Sequence, residues 1–272
     1  MKKYLAYFIS DGTGITAEAL GRSILTQFDY LNFQTITCPF IDSIDKAQET
    51  IAQIAASDDG NTQIIIFDTI IDRNIRAVIA QSKGYMVDIF ATFISPLEKV
   101  LEAKSSYSTG KSHTIMQNNR YKNRIEAVNF ALNNDDGIST VSYNQADIVL
   151  IGASRSGKTP TCLYLAMQFG VKAANYPLVE EDLTTNILPG CLLPYKDKLF
   201  GLIVDPQALA DIRNHRRANS RYSSLAQCES ECKSLHKIYA EQQLMYLDST
   251  KLSIEEISTR ILAMADIKRR PV

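Results

Sequence analysis

Nowhere in this 272-residue chain does an apolar run approach the ~20 residues that a membrane-spanning helix requires. The opening Met-Lys-Lys-Tyr-Leu-Ala-Tyr-Phe-Ile-Ser is too short in apolar length for a secretory signal and lacks a cleavage site. Both absences point to a soluble, cytoplasmic protein with no membrane partner. Excess charge of either sign is missing too. With 29 basic and 30 acidic residues the net charge is −1, which argues against a general electrostatic grip on nucleic acid. Cysteine is sparse: five residues, at 38, 162, 191, 228 and 232, odd in number and scattered, suit reduced thiols. Cys228 and Cys232 stand at i, i+4, but no second Cys/His pair at ligand spacing accompanies them, so a metal site there is not expected. Internal repeats are absent, and so is the Asn-Lys-x-Asp segment that reads guanine in GTPases.

What is present is alternation. Apolar runs at Tyr4–Ile9, Phe33–Cys38, Gln63–Phe67 and Met86–Phe90 read as buried strands. Ala17–Phe28, Ile44–Ala55 and Ile75–Gln81 between them carry apolar residues at helical spacing. A further helix is expected to start at Ser95-Pro96, where proline suits a first turn. From Ser105 to Asn123 the chain turns polar, with Gly, Ser and basic residues that suit an interdomain connection. We place the boundary there, with an N-terminal α/β domain over 1–105 and a second domain over 106–272. In the second, a helix near Arg120–Leu132 leads to the turn Asn134-Asp135-Asp136-Gly137. Strands follow at Asp147–Ile151, Lys172–Tyr176, Lys198–Val204 and Leu244–Leu247. Helices are expected over Cys162–Phe169, Ala208–His215 and about Ser223–Glu241. Ser253-Ile-Glu-Glu256 is a capping-box signature that opens the last helix. Strand–helix alternation of this kind predicts α/β architecture with two largely parallel sheets flanked by helices.

The most specific signal is Gly152-Ala153-Ser154-Arg155-Ser156-Gly157-Lys158-Thr159, which matches the phosphate-loop pattern G-x-x-x-x-G-K-[ST] between a predicted strand and a predicted helix. It predicts a C-terminal domain of phosphate-loop kinase type. The glycines let backbone N–H groups cradle phosphate oxygens. Lys158 adds a point charge, and Thr159 offers a hydroxyl to a phosphate-bound Mg²⁺. Pro160 is tolerable in a first helical turn, where its missing N–H has no acceptor to lose.

Other candidates surround this loop. Asp205 ends an apolar strand and could sit beside the metal, or merely cap the next helix. Arg213, Arg216, Arg217 and Arg221 cluster within nine residues, as in sites that neutralise a transferring phosphoryl group, or as a solvated basic helix end. Asp135 and Asp136 form either a turn or a pair of acids that could take a proton or hold metal. Lys111, His113, Arg120 and Arg124 make a basic group on the connection, with His113 a candidate base. Ser10-Asp11-Gly12-Thr13-Gly14-Ile15-Thr16 is a second, lysine-free anion loop or a plain turn.

Several segments together resemble the bacterial pyruvate, phosphate dikinase/phosphoenolpyruvate synthase regulatory proteins. They are Ile9-Ser-Asp-Gly-Thr-Gly-Ile-Thr-Ala-Glu-Ala-Leu20, the Arg-Ile-Glu-Ala to Asp-Asp-Gly stretch at 124–137, and Gly152 to Pro160. Ala-Asn-Tyr-Pro-Leu-Val at 174–179, the Leu-Phe-Gly-Leu-Ile-Val-Asp-Pro run at 199–206 and Tyr-Leu-Asp-Ser-Thr at 246–250 complete the set. The resemblance implies a bifunctional enzyme. One activity is an ADP-dependent serine/threonine protein kinase that inactivates its target on a threonine. The other uses inorganic phosphate to remove that group as pyrophosphate. The stretch 219–228 resembles the form paired with phosphoenolpyruvate synthase rather than with the dikinase. The resemblance also implies a homodimer and carries ADP binding onto Gly152 through Thr159. The chemistry of the residues themselves would put Mg²⁺ on Thr159 and Asp205, the diphosphate on Lys158, the phosphoryl group in flight on Arg213, Arg216 and Arg217, and the threonine proton on Asp135, Asp136 or His113. Two departures are local: Gly157 makes the loop stricter than is usual, and Asn134 stands where the family usually has His. A small-molecule kinase with residues 205–221 as lid, and a nucleotide sensor without catalysis, remain as other readings of the residues.

Overall fold

The computed structural model describes residues 2–106, 117–137, 140–218 and 220–268. The chain divides into two compact units, Met1–Thr114 and Ile115–Val272. In the first, β1 (Lys3–Ile9), β2 (Phe33–Cys38), β3 (Thr62–Asp68) and β4 (Tyr85–Asp88) form a parallel sheet of order β2-β1-β3-β4. Its connections carry α1 (Ile15–Leu25), α2 (Ile44–Ala56) and α3 (Arg73–Ile79), with α4 (Ile89–Leu101) after the last strand. Alternation along β1 explains why helices lie on both faces. Tyr7 and Ile9 join Ile54, Ile66 and Ile79 in one core cluster, while Ala6 and Phe8 join Ala17 and Phe67 in the other.

The α/β class with parallel sheets is the one the sequence predicts; of the element boundaries in this unit, the start of α4 moves furthest. The helix expected from Ser95 begins at Ile89, so Ile89 and Phe90 leave the predicted strand. Asp88 causes this: its side chain accepts from Ala91 N at 2.7 Å and caps the helix. Pro96 therefore lies inside α4 rather than at its start.

The second unit repeats the plan. β5 (Ile148–Gly152), β6 (Ala173–Pro177), β7 (Leu199–Ile203) and β8 (Tyr246–Asp248) are all parallel, in order β6-β5-β7-β8. The helices are α5 (Gln117–Asn133), α6 (Lys158–Phe169), a short α7 (Glu180–Thr185), α8 (Pro206–Arg216), α9 (Leu225–Glu241) and α10 (Ile254–Met264). Every residue of β5 is buried. Val149 and Ile151 pack with Leu209, Ile238 and Tyr239, and Ile148 and Leu150 with Cys162, Leu165 and Ile261. The predicted capping box is present: Ser253 Oγ accepts from Glu256 N at 3.2 Å, and Glu256 Oε2 accepts from Ser253 N at 2.9 Å. Gly201 in β7 leaves room for the Tyr239 ring, which a Cβ would meet at 2.5 Å, and Tyr239 Oη donates to Ile151 O at 3.0 Å. Among the described residues no helix is long and apolar enough to cross a membrane.

Asp68, at the end of β3, is fully buried, and its Oδ2 has no hydrogen-bond partner among the described residues. Burial raises its carboxyl to about 7, Asp88 and Asp11 adding to the rise, against the opposing effects of the Ile70 N–H and Arg76. The folded state therefore holds a proton that the unfolded chain releases near pH 4. This group's destabilisation is absent below about pH 4, grows as pH rises to about 7 and is full above it. The full difference is on the order of 4 kcal/mol, of which about 3 kcal/mol falls between pH 5 and pH 8. Urea unfolding at pH 5 and pH 8 is expected to show a loss of stability in the parent that Asp68→Asn lacks.

Candidate nucleotide site

Three glycine-associated features shape the loop after β5. Gly152 has φ 155°, and a Cβ there would lie 2.5 Å from Leu202 O. Gly157 has φ 86° and caps α6 without any side-chain hydrogen bond to the helix end. The helix thus presents its open N–H groups and positive dipole end to the loop, the physical requirement for binding phosphate. Between the glycines, Arg155 adopts φ 75°, a left-handed conformation that costs a non-glycine residue on the order of 1 kcal/mol. Ser156 Oγ is buried and has no partner among the described residues, as suits a hydroxyl waiting on a ligand oxygen. Lys158 is buried; its ammonium donates to Ala153 O at 2.8 Å and Gly152 O at 3.2 Å. Burial pushes it down to about 8, with Asp136 opposing the shift.

Facing Thr159 is the turn after α5. Thr159 Oγ1 donates to Asp135 Oδ1 at 2.7 Å. Asn175, on β6, donates from its side-chain amide to the same oxygen. Asp136 has φ 50° and Gly137 φ 68°; a Cβ on Gly137 would meet the Tyr176 ring at 2.8 Å. Asn134 is tied down: its side-chain amide donates to Phe130 O at 2.8 Å and its Oδ1 accepts from Ser142 Oγ at 2.6 Å.

The third wall is basic. A cavity of about 950 Å³ is lined by Asp135, Asp136, Ser154, Arg155, Gly157, Lys158, Thr159, Pro160, Ile212, Arg216, Arg217 and Tyr222. Most predicted site residues thus meet in one place, and Gly152, Ala153 and Ser156 lie buried within the same loop. Arg213 does not line the cavity. Its guanidinium spends all five N–H groups inside the protein, on both carboxylate oxygens of Glu231 at 3.1 and 2.7 Å, on Tyr222 O at 3.0 Å and twice on Ser154 O at 3.3 and 3.1 Å. It is a positioning group for the loop rather than a ligand to a transferring phosphoryl. Asp205 is not at the cavity either. Its Oδ1 caps α8, accepting from Gln207 N at 3.0 Å and Ala208 N at 3.1 Å. The acid beside Thr159 is Asp135. His113 and Lys111 lie outside the described residues.

Sequence reasoning missed Asn175 and Tyr222. For Asn175 the signal was a polar residue amid the buried apolar strand Ala-Ala-Asn-Tyr-Pro. Tyr222 has no such signal: its ring lies 4.2 Å from the Arg213 guanidinium carbon and its hydroxyl 2.9 Å from Ser154 Oγ, contacts that only the fold creates. A metal ion would find Thr159, Asp135 and Asp136 here. Among the described residues no group of three or more His, Cys, Asp or Glu side chains is placed to hold one. That donor set fits Mg²⁺, which keeps several waters and uses one or two carboxylates with substrate phosphates.

Removing one partner of the buried Arg213–Glu231 pair should be costly. Arg213→Met is expected to destabilise the protein by about 3–5 kcal/mol. The double variant Arg213→Met/Glu231→Leu is expected to regain most of that stability in thermal unfolding. Hydrogen exchange over the 152–157 loop is expected to stay faster than in the parent in both variants, because Ser154 O and Tyr222 O remain unclamped.

A family model described as kinase/pyrophosphorylase matches residues 6–262. A Pseudomonas aeruginosa protein provisionally named phosphoenolpyruvate synthase regulatory protein is 56% identical over 270 residues, 98% of each chain. Proteins with the same provisional name from Hahella chejuensis and Marinobacter nauticus are 54% and 53% identical, over 98% of this chain and 98% and 99% of theirs. The match runs through both units and the whole cavity, and the chain belongs to the kinase/pyrophosphorylase family.

Proposed function

We propose that the cavity binds ADP with Mg²⁺ and transfers its β-phosphoryl group to a threonine of phosphoenolpyruvate synthase, switching that enzyme off. In the opposite direction, inorganic phosphate takes the group from the phosphothreonine, giving pyrophosphate and the free hydroxyl. The observation that carries this reading is the convergence of a phosphate loop, an acid–hydroxyl pair and two arginines on one cavity. The family match and the names of the relatives supply the reaction class and the target.

The residues divide the work. Loop N–H groups and Lys158 would hold the diphosphate, Lys158 trading its carbonyl partners for phosphate oxygens. A bound Mg²⁺ would neutralise phosphate charge as it shifts toward the leaving group. Thr159 and Asp135 are placed to hold it. In the forward step the target hydroxyl oxygen bonds to the β-phosphorus, the bond to AMP breaks, and the hydroxyl proton passes to a carboxylate. Asp136 is our candidate acceptor, since Asp135 is already engaged by Thr159 and Asn175. Arg216 and Arg217, which line the cavity, would stabilise the phosphoryl group in transit and anchor inorganic phosphate in the reverse step. Arg155 adds a third guanidinium on that wall.

Incubation with phosphoenolpyruvate synthase and ADP is expected to yield a phosphothreonine by mass spectrometry, with AMP as co-product. Added phosphate should remove it and release pyrophosphate. Lys158→Met should lower transfer by about 10²-fold or more, and Asp136→Asn should lower the rate while leaving ADP binding near that of the parent. Modification of pyruvate, phosphate dikinase alone would move the target. Transfer from labelled ADP only to a metabolite, or ADP binding with no transfer to either protein, would sink the proposal.

A further inference from the structure

We propose that Asn175 is the residue that positions the Asp135–Thr159 pair for a divalent cation, and so couples cation binding to nucleotide binding. The inference rests on the reading of the cavity as a Mg²⁺–nucleotide site. Asn175 is fully buried in β6, a strand otherwise built of small and apolar residues at that depth. A buried amide is tolerated only where its hydrogen bonds are met. Every polar atom of this residue is used, and nearly all on one turn. Its N donates to Asn134 O at 3.2 Å, and its O accepts from Gly137 N at 3.1 Å and from Tyr143 Oη at 2.9 Å. Its side-chain Oδ1 accepts from Asp136 N at 3.1 Å.

That last contact fixes which way the amide points. Asp136 N–H can only donate, so the side-chain oxygen must face it and the amide nitrogen must face Asp135. Asp135 Oδ1 then receives two donors, Asn175 Nδ2 and Thr159 Oγ1. A hydroxyl that ligates a cation does so through a lone pair, so its proton needs an acceptor elsewhere. Asp135 supplies one and thereby turns the Thr159 lone pairs away from itself. An amide is suited to hold Asp135 for this task. It satisfies the carboxylate oxygen without cancelling the negative charge, as a lysine or arginine would. The charge stays available to a cation next to the loop.

A residue that merely knits the turn to the strand would have the same backbone bonds, so the test must separate the two roles. ADP affinity is measured by calorimetry in magnesium chloride and in EDTA for the parent and for Asn175→Asp. That near-isosteric change keeps an acceptor for Asp136 N–H but sets a carboxylate against Asp135. We expect Mg²⁺ to strengthen ADP binding in the parent, and this strengthening to fall by about tenfold or more in the variant. Affinity in EDTA should stay within about threefold of the parent. Equal losses in both buffers, or an undiminished Mg²⁺ effect, would overturn the inference while leaving the nucleotide site intact. A parent that binds no ADP in either buffer would instead overturn the functional reading beneath it. Asn175→Ala, which removes the amide donor to Asp135 without adding charge, provides the same comparison if the aspartate variant does not fold. It should show the same selective loss.

Discussion

A single buried guanidinium ties together the parts of the second unit that form the cavity. Arg213 reaches from α8 to the carbonyl of Ser154 in the loop, to the carbonyl of Tyr222 beyond α8 and to Glu231 on α9. Its exposure is 1%, and a charge at that depth survives only with full hydrogen bonding and an ion partner. Glu231 supplies the partner, and the planar fork supplies the geometry, since five donors in one plane can serve three separate segments at once. The strained backbone at Arg155 follows from this. With Ser154 O held on one side and Gly157 opening α6 on the other, the residues between have little freedom. Such over-determination suits a non-glycine residue held left-handed inside a loop.

On the opposite wall the constraint is the turn after α5, which has two consecutive left-handed residues, Asp136 and Gly137. Gly137 is needed because the Tyr176 ring leaves no room for a Cβ. Asp136 accepts the strain because Asn175 meets its N–H. The cavity thus has an acidic side fixed by β6 and a basic side fixed by α8, with the 152–159 loop between them. Both sides stand at the carboxyl ends of parallel strands, where the order β6-β5-β7 places neighbouring connections on either side of β5. That topology brings residues 40 positions apart, such as Asp135 and Asn175, into direct contact.

Local patterns were legible in the sequence, and contacts between distant segments were not. The eight-residue loop, the strand before it and the helix after it follow from glycine spacing and periodicity alone. The capping box at Ser253 was equally readable, because both its bonds close within four residues. Asp205 shows the limit. An acid at the end of an apolar strand reads the same whether it serves a metal or caps a helix, and only the positions of Gln207 N and Ala208 N decide. Arg213 shows another. Four arginines in nine residues look alike on paper, and helical geometry turns Arg213 inward to Glu231 while Arg216 and Arg217 reach the cavity. Helix α4 starts at the Asp88 cap and not at Ser95, because a capping carboxylate fixes a helix end whereas Pro96 is accommodated within the helix.

The composition of the cavity wall bears on what it can recognise. Its volume of about 950 Å³ lies at the upper end for small-ligand sites, enough for a nucleotide and part of a protein segment. Yet among the lining residues only Pro160, Ile212 and Tyr222 offer substantial apolar surface; the rest are charged, hydroxylic or glycine. A nucleobase would find most of its apolar contacts at those three residues. Recognition would rest on phosphate oxygens, through the loop N–H groups, Lys158 and the exposed arginines. A phosphate-centred site suits the proposed chemistry better than a base-reading one, because the two directions share no nucleoside. In that proposal ADP would be the donor in one direction and inorganic phosphate the acceptor in the other, and phosphate is the only group those two small molecules have in common.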